Sequence, residues 1–244
     1  MKALRPILAG VLTAGLVSLP IAADAGSASG AAGPAAQPTP SMATSSTRYN
    51  TWIKFLNFSH VDAWRQRSTI RGQLIGYVNK KSGSLRGRWI RLDRKILGTS
   101  IWHRIATTRT SRASYSEFVF HFNAVGNAKY RAVYRGSAQL QPSSRVTEMF
   151  VHRRFGASLH NGTSFARFRG RVTPAYGHKV IYLQRRHCAG CSWHTVRRKN
   201  TGSRGVWRFR VGAPVTGRWW WKVMTPPSTR YIRSYSGVFT TQHA

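Results

Sequence analysis

The sequence predicts an all-β chain: two antiparallel β-sandwiches in tandem, behind an export signal and a flexible linker. Three observations carry this expectation. Beyond residue 48, apolar and polar residues alternate at period two in short runs closed by Gly, Pro, Asn or Ser, the pattern of half-buried strands. No stretch after the N-terminus repeats at the helical period. Finally, Trp89–Tyr134 lies over Val180–Thr225 without a gap, at a constant offset of 91 residues.

Taken in order, the chain opens with Lys2 and Arg5, the apolar run Ile7–Ala23 and the small residues Ala23-Asp24-Ala25. This is the layout of a secretory signal peptide, residues 1–25. The competing reading, a membrane-spanning helix, is weakened by Pro20 and by a run shorter than the ~20 apolar residues a span needs. No later stretch is apolar enough to cross a bilayer. Residues 26–47 contain only small, Pro, Thr, Gln and similar uncharged residues, too little apolar surface to offset the entropy of ordering them, so a flexible linker is expected.

The self-match decides how the remaining residues divide. Ile90 falls on Ile181, Leu92 on Leu183, Arg94 on Arg185, Trp102 on Trp193, His103 on His194, Thr110 on Thr201, Phe118 on Phe209 and Gly126 on Gly217. These are positions a sandwich needs for core and turns, with Trp102 and Trp193 read as core residues and each His as a structural neighbour. The expected domains are 48–145 and 146–244. In the second, Ile181 and Leu183 oppose Tyr182 and Gln184, and Trp207, Phe209 and Val211 point inward while Arg208 and Arg210 face water. Arg218–Val223 places Trp219, Trp221 and Val223 on one face and Arg218, Trp220 and Lys222 on the other. Six to eight such strands per copy fit an immunoglobulin-like sandwich; a single Greek-key barrel is the second choice. Tyr49–Arg67 reads equally as a first strand or a short helix.

The order Arg169-Gly170-Arg171-Val172-Thr173-Pro174, then Lys179–Arg185, then the Trp-led run Ser192–Lys199, resembles the tandem immunoglobulin-like modules of actinobacterial secreted proteins. The resemblance implies a fold with many uses: adhesion, wall association or the spacing of other domains.

Charge bounds the partners. The formal net charge is +34, and only Asp62, Asp93, Glu117 and Glu148 supply carboxylates beyond residue 25. Such an excess attracts polyanions, and the planar guanidinium suits phosphate and carboxylate. Codon bias in a GC-rich genome explains many Arg codons, but not the scarcity of Asp and Glu. The expected partners are cell-envelope polyanions or acidic polysaccharide, with Lys80, Lys81, Arg86, Arg208, Arg210, Arg218 and Lys222 as candidate contacts. Salt-sensitive nucleic-acid binding in vitro is expected from charge alone and says nothing of role. A second class of reading is a carbohydrate-binding module stacking a sugar on Trp220, which stands between Arg218 and Lys222. A protein–protein adhesion module is a third.

An enzyme is not expected. The four carboxylates form no acid/base pair in sequence, and GxSxG, HExxH, P-loop and dinucleotide motifs are missing. No cofactor is expected. Cys188 and Cys191 read as a disulfide in an exported chain. Zinc held by His187, Cys188, Cys191 and His194 has the right ligand types but no standard spacing, and a redox CxxC would need a helix N-terminus.

Overall fold

The computed structural model describes residues 48–78, 81–112, 115–162, 164–174 and 176–242. The expected signal peptide (1–25), the linker (26–47) and Lys80 lie outside the described residues. The described chain is all-β, with no helix among its named elements. Two hydrophobic cores divide it into two sandwiches.

The first sandwich comprises β1 (Thr51–Phe58), β2 (Val61–Ala63), β3 (Arg67–Val78), β4 (Lys81–Ser84), β5 (Trp89–Ile96), β6 (His103–Arg109), β7 (Glu117–Asn123), β8 (Ala128–Tyr134) and β9 (Ser143–His152). β1, β4 and β7 pair with β3 in one sheet, and the other runs β2-β9-β8-β5-β6. The region around Tyr49–Arg67 is therefore strand, not helix. The second sandwich comprises β10 (Arg154–His160), β11 (Ala166–Thr173), β12 (Val180–Arg186), β13 (His194–Asn200), β14 (Val206–Val211), β15 (Arg218–Thr225), β16 (Ser234–Tyr235) and β17 (Phe239–Gln242). Its sheets are β10-β11-β14 and β13-β12-β15, with β16 and β17 both on β15. Pairing between these strands is antiparallel except for the short β2/β9 ladder. Two antiparallel sheets enclosing one core, with β10-β11-β14 facing β13-β12-β15-β16 in the second sandwich, is an immunoglobulin-like architecture.

The registers of the central pairs agree at the 91-residue offset. In β5/β8, Asp93 opposes Arg131 and Lys95 opposes Lys129; in β12/β15, Gln184 opposes Lys222 and Arg186 opposes Trp220. The pairing with the next strand slips at Leu92/Asp93 in one sandwich and at Leu183/Gln184 in the other. Thr110 and Thr201 are both buried, and their hydroxyls serve the same purpose, donating to the carbonyls of Leu85 and Tyr176 and accepting from the amides of Arg88 and Lys179.

β9 runs through the 145/146 division drawn from sequence. It pairs with β8 along its length up to Met149 and with β2 beyond, so by pairing it belongs to the first sandwich, and the chain crosses at Arg153. That arginine is buried, its guanidinium 4.7 Å from the Tyr176 ring and 4.2 Å from the Tyr231 ring. Tyr231 packs into the core of the first sandwich and donates its hydroxyl to the carbonyl of Val125 at 2.9 Å. Asn127 donates to the carbonyl of Thr229 at 3.0 Å. Gly126 is required here because a Cβ would stand 2.8 Å from Arg230 Cγ.

The second core is aromatic. Phe168 meets the edge of Trp207 at 5.0 Å, and both are buried. Gly170 lets β10 and β14 close over β11, since a Cβ would collide with the carbonyl oxygen of Gly156 and with Trp207 Cζ2 at 2.6 Å. Burying a Trp side chain of this size is worth about 4–6 kcal/mol from area alone.

Candidate polyanion-binding surface

The four carboxylates described all lie in the first sandwich, and each is engaged. Asp62 accepts hydrogen bonds from Ser59 and Ser68 at 2.9 and 2.6 Å. Asp93, buried, accepts from Arg91 at 2.9 Å and Arg131 at 3.1 Å. Glu117 pairs with Arg71 at 2.6 Å and Glu148 with Lys129 at 3.0 Å. From Met149 onward the sequence contains no Asp or Glu, so the second sandwich has no carboxylate side chain to answer its cations.

The consequence is sharpest on the outer face of β11 and β14. Strand alternation sends Phe168, Trp207 and Phe209 into the core and the intervening residues to solvent. Register then sets Arg167 directly opposite Arg210 and Arg169 opposite Arg208, with Arg171 next along β11. All five are arginines on one sheet face, and the four paired ones are exposed and line a shallow cavity. Like charges directly across a strand pair destabilise it. The Phe165 ring, 4.7 Å from the Arg210 guanidinium and 5.9 Å from that of Arg167, offsets part of that cost. At the corresponding sheet of the first sandwich, Thr69 opposes His121, and the charge of Arg71 is met by Glu117.

Of the sequence-derived contacts, Arg208 and Arg210 therefore stand together within this grid. Lys81 opens β4 and Arg86 lies in the turn after it, both exposed and both on the first sandwich. Arg218 is exposed at the start of β15 and donates to Gln242 at 3.1 Å. Lys222 and Trp220 are half-buried on the outer face of β15. Arg167, Arg169 and Arg171 were not among the sequence candidates. Their period-two spacing was visible, but the cross-strand partners that complete the grid were not.

One expectation is corrected. Trp102 and Trp193 are not core residues, and His103 and His194 are exposed rather than packed beside a core Trp. Each Trp instead lies over cations on the outer sheet face: Trp102 on Lys95 (5.2 Å) and Arg131 (4.4 Å), Trp193 on Arg186 (4.8 Å) and Lys222 (4.2 Å). The indole face attracts the charge and shields the aliphatic stems. Cys188 and Cys191 are joined by a disulfide at the tip between β12 and β13, which commits both sulfurs and leaves no Cys set for zinc. Among the described residues no group of three or more His, Cys, Asp or Glu could hold a metal. A larger cavity lies on the first sandwich, lined in part by Arg88, Trp89, Arg91 and Arg135; its Arg91 is already held by Asp93.

No protein-family model matches the chain, and no curated protein matches it. Solved structures similar to it include the human OSCAR ligand-binding domain (18% identity, 80% of this chain and 100% of that one, TM-score 0.27). The chicken interferon gamma receptor alpha chain is also similar (8%, 78% and 97%, TM-score 0.42), as is the D0-D1 domain of intimin (7%, 78% and 99%, TM-score 0.26). At these scores the fold assignment rests on the strand order and pairing given above.

Proposed function

We propose that this is an exported, non-catalytic binding protein whose second sandwich holds a linear, phosphate-bearing polymer of the cell envelope on the arginine face of β11 and β14. The observation that supports this most is the pair of opposed arginines, Arg167/Arg210 and Arg169/Arg208, kept side by side with no carboxylate in the same sandwich. A fold that bears such repulsion gains when a polyanion lies across it. Residues i and i+2 of a strand stand about 6.8 Å apart, so successive guanidinium forks meet successive anionic groups of a flexible chain. The cavity on this face is lined by Arg167, Arg169, Arg208 and Arg210, a repeated cationic lining that suits recognition of a repeating charge.

Co-sedimentation of the chain with cell walls, before and after extraction of their phosphate polymers and across a salt series, tests this. Binding should vanish on extraction and fall steeply between about 50 and 200 mM salt. Binding that survives both treatments would remove the polyanion reading.

A further inference from the structure

The opposite sheet of the second sandwich carries a different arrangement. On its outer face Arg186, from β12, lies 4.8 Å from the Trp193 ring and 5.8 Å from the Trp220 ring. Lys222, from β15, lies 4.2 Å from both the Trp193 and the Tyr235 rings. Among the described residues neither cationic head has a hydrogen-bond or ion-pair partner; both stack on rings. Arg186 Nε and Gln184 Oε1 are buried without a partner, one a donor and the other an acceptor.

The first sandwich shows what normally completes this site. At the same register Lys95 and Arg131 flank Trp102, but Asp93 stands where Gln184 does and binds Arg131, while Lys129, at the place of Trp220, pairs with Glu148. There Arg131 and Lys129 carry their own anions, while Lys95, the counterpart of Arg186, stacks on Trp102. In the second sandwich Gln184 and Thr240 replace the two acids, and Trp220 and Tyr235 add aromatic surface at the places of Lys129 and Ser144.

We infer that the outer face of β12 and β15 is a second binding site, for an acidic saccharide: its carboxylate meets Lys222 and Arg186 beside Gln184, which stands where Asp93 does in the first sandwich, and its ring stacks against Trp220 or Tyr235. A sugar acid supplies both partners the site lacks, an acceptor for the guanidinium and a hydroxyl donor for Gln184. A plain anion would leave Gln184 unanswered, and a neutral sugar would leave both charges so. Tyr235 is 43% exposed, which leaves ring surface for stacking. Burial, and secondarily the charge of Arg186, holds Lys222 below the ordinary lysine range, a state an added carboxylate relieves. This site is separate from the arginine grid and stands or falls independently of it.

The test is titration of the whole chain with trigalacturonate, maltotriose and inorganic phosphate, read by tryptophan fluorescence. Trigalacturonate should bind at least tenfold tighter than either comparator. Lys222→Gln should weaken it at least tenfold, while the pair Arg208→Gln and Arg210→Gln leaves it within about twofold. Gln184→Asp, which restores the acid of the first sandwich, should abolish binding with near-UV circular dichroism unchanged. Equal binding of maltotriose or phosphate, full binding by a folded Gln184→Asp protein, or no binding of trigalacturonate at millimolar concentration would overturn the inference.

Discussion

The two sandwiches share strand order and register at their central strands, yet they treat charge in opposite ways. In the first, Asp93, Glu117 and Glu148 each sit against a cation, and the fourth acid, Asp62, is held by two hydroxyls. In the second, cations face one another across β11/β14 or lean on aromatic rings. Packing therefore does not require the acids, because a sandwich of the same plan forms without them. What the acids do is pair cations within the first sandwich; the second, with no Asp or Glu, leaves its cations without a carboxylate partner.

The largest effect is expected at Trp207, a fully buried indole in the core of the second sandwich, where the first sandwich buries Phe and Tyr but no fully buried Trp. Trp207→Ala should cost about 3–5 kcal/mol, melting the second sandwich and its binding together in a calorimetric scan. Next comes a pair at matching positions, Tyr130 and Trp221. Burial pushes the Tyr130 phenol up to about 12. The unfolded chain ionises near 10, so the folded state holds the proton more tightly. Stability worth roughly 3 kcal/mol is present below pH 10 and lost as pH rises toward about 12. Trp221, which donates its indole N–H to Thr241 at 2.9 Å, has nothing to ionise. Tyr130→Phe should flatten the alkaline limb of a pH–stability curve; an unchanged limb would assign it elsewhere.

Asp93→Asn should come third, at about 2 kcal/mol, because Arg91 and Arg131 lose the buried negative charge and one of its two acceptor oxygens. Denaturant midpoints measure it, and the first sandwich should alone respond. The smallest effect has the opposite sign. Arg210→Glu puts an acid opposite Arg167 and should raise stability by up to about 1 kcal/mol while weakening polyanion binding. A variant that is both less stable and equally good at binding would count against the repulsion argument.

Much of the fold was legible because alternation reports burial directly. Trp207, Phe209 and Val211 read as inward and Arg208 and Arg210 as outward, and they are. Trp102 and Trp193 misled for a physical reason: both precede their strands in connecting segments, where period two does not apply, and a large aromatic is as useful stacked on cations as buried. The run of β9 across 145/146 was not legible because that strand is set by pairing with β8 and β2, a non-local matter. Likewise Arg167 and Arg169 alternate visibly, but only register with β14 makes a grid of them. The exchange of Asp93 for Gln184 lay in the self-match from the start. Its meaning depended on knowing that Arg131 and Lys222 stand opposite.

The most direct test of this account is the salt dependence of binding to a purified phosphate-bearing wall polymer, compared between two double variants. Arg208→Gln with Arg210→Gln removes charge from the second sandwich; Lys81→Gln with Arg86→Gln removes as much from the first. The first pair should lower the slope of log K against log salt by about 1.4–1.8, two phosphate contacts' worth, and the second pair should leave it unchanged. Equal loss from both pairs would mean that net charge alone attracts the polymer and that the second sandwich has no special part in holding it.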